Sequence, residues 1–263
     1  MEFIKNKKNG ISYYSLDEFD KSGIKNMFTT VFGGVSFENN ELNFGTSVND
    51  TQENVIENFR RTLSLIDSNC ENAVRSKQTH SDIVIEVEES FKGEGILKPQ
   101  RFLEADGLIT DIKDLSLVVF YADCVPVLIA DKENKTVCAV HSGWRGTHSN
   151  IVSKAVEKMI ENKNCHYDNL VAAIGPCIGM CHFEVQKNVY DVFIPVYGEE
   201  YGKEENGRYF VNLGKIVARQ LELSGLKKEN IAFMDKCTYC NEEFYSYRRQ
   251  AERAGRMAAI IKA

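Results

Sequence analysis

Two apolar runs, Leu115 to Tyr121 and Val125 to Ala130, are rich in Val, Leu and Ile and are separated only by a short polar step containing Asp123-Cys124. A third run, Thr136 to Val140, ends at His141. Runs of this length without polar alternation read as strands covered on both faces. A chain that has to bury three of them in succession needs a central sheet with further layers packed against it. The same runs leave a thiol and an imidazole at strand ends, where reactive side chains collect on a rigid frame.

The flanking segments supply those layers. After Gly146 comes a helical face of Ile151, Val152, Ala155, Val156, Met159 and Ile160, then a strand from Leu170 to Ile174 that stops at Gly175-Pro176. Strand, helix and strand make a crossover unit. Nearer the N-terminus, Phe28 to Thr30 ends a strand before Gly33-Gly34, and Asn49 to Ile66 reads as a capped helix with Val55, Ile56, Phe59 and Leu63 on one side. Two more amphipathic helices are expected, Val211 to Ser224 closed by Gly225, and Tyr247 to Ile261 with a basic first half. The pattern is mixed α and β. With four prolines, no repeat and no low-complexity linker, the 263 residues read as one domain, 1–263.

Composition narrows the function classes. A content of 43% hydrophobic and 27% charged residues supports a sizeable core and argues against disorder. The net charge of −6 disfavours a nucleic-acid backbone as the main partner, since phosphate neutralisation needs a basic face. The start, Met1 to Gly10, is lysine-rich without a signal-peptide core, and no run approaches the roughly eighteen apolar residues of a membrane span. A cytoplasmic protein is expected. Its eight cysteines then read as reduced thiols or metal ligands rather than a disulfide scaffold.

His80 follows the polar stretch Ser76-Lys77-Gln78-Thr79 and precedes a strand-like Ile83 to Val87. One thiolate and two imidazoles, from His80, Cys124 and His141, form a donor set that suits zinc; three protein ligands leave a fourth position for water or substrate. Zinc there would lower the pKa of a bound water or polarise a substrate atom. The alternative is one more buried thiol and two hydrogen-bonded core histidines. The turn Ser142-Gly143-Trp144-Arg145-Gly146-Thr147 could hold an anion at a helix N-terminus, or could be a plain cap beside a surface arginine.

Other clusters compete. Pro176-Cys177, Cys181 and His182-Phe183-Glu184 superficially match the zinc nucleobase deaminases, but the order is reversed and the cysteine spacing one residue too long. Cys177 and Cys181 could join Cys237 and Cys240 in a closed four-thiolate site, since Cys237-Thr238-Tyr239-Cys240 has the required two-residue gap. The cluster Arg248, Arg249, Arg253 and Arg256 reads first as a solvated helix face.

The segments Lys77-Gln78-Thr79-His80, Ala105-Asp106-Gly107, Ala122-Asp123-Cys124-Val125-Pro126, His141 to Gly146, Ile174-Gly175-Pro176, Phe244 to Arg249 and Gly255-Arg256 occur together and in order. Together they resemble the laccase-domain or multicopper polyphenol oxidase-like family, over nearly the whole chain. The resemblance implies an α+β fold of mixed β-sheets layered with helices, an α/β/β/α sandwich. It also implies zinc on His80, Cys124 and His141, with copper as a possible substitute. The implied chemistry is phosphorolysis of adenosine, inosine and methylthioadenosine to base plus ribose 1-phosphate, and deamination of adenosine. Asp106 and Asp123 are the candidate catalytic carboxylates, and Asn43, Gln78, Arg145, Arg248 and Arg249 the candidate substrate or phosphate contacts.

The chain departs from the family at Val31 and Phe59, where arginines are usual. Five histidines, His80, His141, His148, His166 and His182, are too few for a multinuclear copper cluster. A related branch acts as a peptidoglycan-editing amidase that removes a misincorporated serine from a muropeptide precursor, which keeps that reaction as an alternative. A non-catalytic zinc-dependent binding protein is the alternative of another class. The expected partners are a purine nucleoside and phosphate, with no nucleic acid and no membrane, on a monomer or weak homo-oligomer.

Overall fold

The protein is seen in a computed structural model, which describes residues 1–37, 39–46, 48, 50–100 and 104–263. The N-terminal part contains β1 (Phe3–Lys8), β2 (Ile11–Leu16), α1 (Asp17–Lys21), β3 (Lys25–Thr29), β4 (Phe32–Ser36), α2 (Gln52–Ser64), β5 (Ala73–Arg75) and β6 (Val84–Glu86). The middle adds β7 (Gly107–Thr110), β8 (Ser116–Tyr121), β9 (Val125–Asp131), β10 (Val137–Ser142), α3 (Trp144–His148), α4 (Ile151–Lys163) and β11 (Leu170–Ile174). The rest forms β12 (Glu184–Val185), α5 (Lys187–Tyr197), β13 (Gly202–Glu205), β14 (Arg208–Val211), α6 (Leu213–Leu223), β15 (Ile231–Phe233), α7 (Tyr247–Gln250) and β16 (Met257–Lys262).

Two six-stranded mixed sheets form the centre, ordered β1-β2-β3-β16-β8-β5 and β15-β11-β9-β10-β7-β6. Between their inner faces lies a core that includes Phe28, Leu117, Val119, Leu128, Ala139, Val171 and Phe244. Helix α2 covers the outer face of the first sheet, with Val55, Phe59 and Leu63 against Met27, Val118 and Ile260. Helices α4 and α6 cover the outer face of the second, through Val152, Val156, Met159, Ile216 and Val217. The result is the α/β/β/α layering that the family resemblance implies. Both faces of β8, β9 and β10 are covered, which explains their lack of polar alternation. The crossover is also present: β10 and β11 both pair antiparallel with β9, and α4 connects them.

The structure corrects two element boundaries and one element type. Thr51 caps α2 by accepting the amide of Asn54, so the helix opens later than expected; Asn49, the expected start, lies outside the described residues. Val211 belongs to β14, and Asn212 caps α6. The larger change concerns Tyr247 to Ile261, which is not one helix. It is a four-residue helix, a 3-10 turn at Ala251–Arg253, and then β16, a fully buried strand between β3 and β8. Alanines favour a helix locally, but Met257 to Ile261 is apolar on every side and fills the middle of a sheet. A short run buried all round has no periodicity that separates helix from strand. No helix among the described residues is long and apolar enough to cross a membrane.

A candidate metal centre where the chain crosses between sheets

Two connections carry the chain from the first sheet to the second at one end of the sandwich. The first runs from β5 to β6 and carries His80; the second runs from β8 to β9 and carries Cys124. His141 arrives from the end of β10. The nitrogen and sulfur donors of the three residues lie within 4.8 Å of one another, and the two imidazoles meet edge to face with centroids 5.0 Å apart. The Cys124 sulfur is 3.9 Å from His80 Nε2.

Both crossings use backbone that L-residues rarely adopt. His80 has φ 61° and Asp123 has φ 87°. Such strain persists only where the surroundings over-determine it. At His80 the restraint is one buried carboxylate, Asp106. Its oxygens accept the backbone N–H groups of Thr79, His80 and Ser81, and the Ser81 hydroxyl. The same carboxylate lies 2.7 Å from His141 Nδ1. Asp106 therefore fixes the turn that presents one imidazole and orients the ring of the other, leaving His141 Nε2 for a metal. Burial opposes its charge, but the His141 and Ser81 contacts win and hold it down to about 2.

The electrostatics of the three donors are coupled. Burial opposes a Cys124 thiolate, but the adjacent His141 and His80 outweigh it and bring the thiol to about 6. Burial likewise opposes a charged His141, which Cys124 and Asp106 raise to about 9. The donor set thus favours a thiolate with an anchored imidazole, which fits a borderline-soft divalent ion. Gly143 is required by this closeness: a Cβ there would lie 2.7 Å from His80 Cδ2 and 3.3 Å from the Cys124 sulfur.

A cavity of about 590 Å³ opens on the three donors, within the size range of small-ligand sites. Phe120, Tyr121, Ile178, Phe183 and Tyr247 give it apolar and aromatic surface, while Arg75, Lys77, Arg248 and Arg256 bring four cations. For a chain of net charge −6 this is a concentrated positive patch. Its lining carboxylate, Asp123, is already engaged, accepting the Thr238 hydroxyl at 2.6 Å and the Arg248 amide at 2.7 Å. A larger cavity of about 730 Å³ shares Arg75 and Phe120 but contains none of the three candidate metal donors.

The candidate contacts sort unequally. Gln78 lines the cavity and clamps Phe120 with both ends of its amide, donating to the carbonyl and accepting from the N–H at 2.7 Å each. Arg248 is in the wall, its guanidinium donating to the His182 carbonyl at 3.1 Å. Arg249 instead holds its own loop, donating to the carbonyls of Thr238, Tyr239 and Phe244 rather than to a carboxylate. Asn43 is fully buried and spends its amide on Gly45, Asp50 and Arg256. Arg145 is exposed, stacked on Trp144 and outside the cavity wall, on a helix, α3, that is only five residues long. Asp106 is also outside the wall, behind His141.

Arg75, Ile178 and Phe183 line the site although the sequence did not single them out. Arg75 lies two residues before Lys77, and that proximity was the available signal. Val31 and Phe59, the two positions at which the resemblance led to an expectation of arginine, are buried in apolar clusters. Phe59 packs on Phe44 and Phe120, and Arg75 lies over the Phe120 ring at 4.9 Å.

Known proteins resemble this chain over most of its length. A protein of Clostridium acetobutylicum named purine nucleoside phosphorylase is 32% identical, covering 95% of this chain and 97% of its own. The Bacillus subtilis protein named purine nucleoside phosphorylase YlmD is 31% identical, over 89% of this chain and 86% of its own. The crystal structure of YlmD from Geobacillus stearothermophilus superposes with a TM-score of 0.88 at 30% identity, covering 99% of each chain. Residues 25–263 match the family model described as multi-copper polyphenol oxidoreductase laccase, and the chain belongs to that family.

Proposed function

We propose that the chain is a metal-dependent purine nucleoside phosphorylase that also deaminates adenosine, with zinc on His80, Cys124 and His141. The observation that carries this reading is one cavity that joins a thiolate and two imidazoles to aromatic walls and four cations. Relatives named purine nucleoside phosphorylase, at about 30% identity over most of the chain, support the substrate class. The metal, when bound, supplies Lewis acidity and a water of lowered pKa.

The protein's own groups do the rest. Phe120, Phe183 and Tyr247 offer faces for a purine, and Gln78 keeps Phe120 in place. Arg75, Lys77, Arg248 and Arg256 hold phosphate close to the ribose, turning a bimolecular encounter into a positioned one. In phosphorolysis a phosphate oxygen bonds to C1′ as the bond from C1′ to the purine nitrogen breaks; the electron pair leaves with the base, which takes up a proton. Asp106 acts as a positioning residue through His141 and the His80 turn.

Purified, zinc-loaded protein should convert adenosine, inosine or methylthioadenosine with phosphate to free base and ribose 1-phosphate, and adenosine to inosine. No product above a Cys124→Ala control sinks the proposal. Release of serine from a muropeptide precursor without nucleoside turnover would assign the cavity to the amidase reaction instead.

A further inference from the structure

A second group of soft donors lies on the two loops behind the cavity. Cys181 and His182 come from the loop after β11, and Cys237 and Cys240 from the loop after β15; one donor atom of each lies within 4.8 Å of all the others. The Cys181 and Cys240 sulfurs are 3.7 Å apart, and His182 Nδ1 is 3.2 Å from each of them. Four ligands around a tetrahedral zinc, with zinc–sulfur bonds of about 2.3 Å, place sulfurs about 3.8 Å apart. The spacing thus suits a shared ion. It does not suit a disulfide, whose sulfurs sit about 2.05 Å apart.

The backbone around Cys237 is arranged for anionic sulfur. Backbone N–H groups of Gly179 and Cys240 reach the Cys237 sulfur, the first at 3.2 Å. A Cβ at Gly179 would lie 3.3 Å from the Cys181 sulfur and 3.6 Å from that of Cys237, so the backbone packs directly on the thiols. Tyr239, between the two loop cysteines, stacks on the His182 ring with centroids 3.9 Å apart and planes at 17°, which fixes the imidazole's direction. Cys177, the fourth thiol that the sequence suggested, is not in the group. It is buried beside Gly214 in the second sheet's core, and His182 takes its place.

We propose that Cys181, His182, Cys237 and Cys240 form a closed, four-coordinate zinc site that cross-links the two loops walling the cavity. Three thiolates and one imidazole fill a tetrahedral ion and leave no position for substrate, which makes the site structural. Its cross-link reaches the cavity directly. Ile178 and Phe183 flank the first pair of ligands and line the wall, Arg248 donates to the His182 carbonyl, and Thr238 donates to Asp123.

Metal analysis of zinc-replete protein, purified under reducing conditions, tests this. The Cys124→Ala variant, stripped of a donor at the cavity, should keep about one tightly held zinc per chain, and adding Cys240→Ser should remove it. Zinc content that Cys240→Ser leaves unchanged overturns the proposal. So does a disulfide between Cys181 and Cys240 in the zinc-replete sample. If Cys240→Ser does not fold, cobalt titration of Cys124→Ala alone decides the matter. Saturating thiolate-to-cobalt charge-transfer bands with tetrahedral ligand-field absorption at one equivalent are expected, and their absence overturns the assignment.

Discussion

The two donor clusters of this protein use the same elements in different numbers and on different supports. His80, Cys124 and His141 stand at strand ends and sheet crossings, three donors facing a cavity. Cys181, His182, Cys237 and Cys240 stand on two loops, four donors with the Gly179 backbone packed against the Cys181 and Cys237 sulfurs. The number of protein donors decides whether an ion keeps an open position, and the support decides how exactly that position is aimed. At the first cluster a single carboxylate, Asp106, restrains one ligand's backbone and another ligand's ring. At the second, backbone amides and a stacked tyrosine do the equivalent work.

The sharpest way to break the contrast is to remove the thiolate at the open cluster. Cys124→Ala should lower nucleoside phosphorolysis by about a thousandfold or more, the scale of several kcal/mol of lost charge stabilisation, while the melting temperature stays near wild type. Steady-state assays with a parallel thermal melt check this. A variant that keeps a tenth of the activity would mean that the cluster is not the reaction centre.

Next in size is the support. Asp106→Asn places an amide N–H₂ where the carboxylate now accepts from three backbone amides and a hydroxyl, and should weaken metal binding at the cavity by about ten- to a hundredfold. Competition with a chromophoric chelator measures it. Zinc bound through the loop cysteines should be unaffected by the same substitution.

Asp106 also predicts an acid response. Its folded value of about 2 lies below the ordinary 3.8, so its contribution is present above about 3.8 and is lost as the pH falls through about 2. In metal-free protein this amounts to on the order of 2 kcal/mol. Denaturant titrations near neutrality and near pH 2 should therefore show a smaller stability difference between the two pH values in Asp106→Asn than in wild type. An equal difference in both proteins would remove Asp106 from the acid transition.

The smallest effect concerns space. Gly143 has φ −73° and ψ 172°, which alanine adopts easily, so Gly143→Ala acts only through the crowding of His80 and Cys124. The expected result is a loss of about threefold to tenfold in metal affinity with a folding-stability loss of about 1 to 3 kcal/mol. A stability loss without any change in metal affinity would place the crowding elsewhere.

How much was legible in advance varied with the kind of residue. The buried strands β8, β9 and β10 announce themselves because burial on both faces removes the polar alternation. The donors His80, Cys124 and His141 were legible as types at strand ends. Asp106 was legible as a motif residue but not as a hub, because its partners at Thr79, Ser81 and His141 are distant in sequence and meet only through folding. β16 was misread since alanine and isoleucine buried all round satisfy helix and strand alike. His182 was not legible as a donor for a related reason: cysteine spacing raised Cys177, whereas the fold turns Cys177 into the core and His182 towards the thiols.

By itself the sequence determined the layered class, the apolar strands and the donor types, because these depend on transfer of apolar surface and on side-chain chemistry, both local properties. Only the tertiary structure decided which donors converge. Two sheet crossings in strained backbone, restrained by one buried carboxylate, bring His80 and Cys124 to His141. Two loops more than fifty residues apart in the chain bring a histidine, rather than a fourth cysteine, to the other cluster. Convergence of this kind rests on hydrogen bonds and packing between distant segments, and no local pattern encodes it.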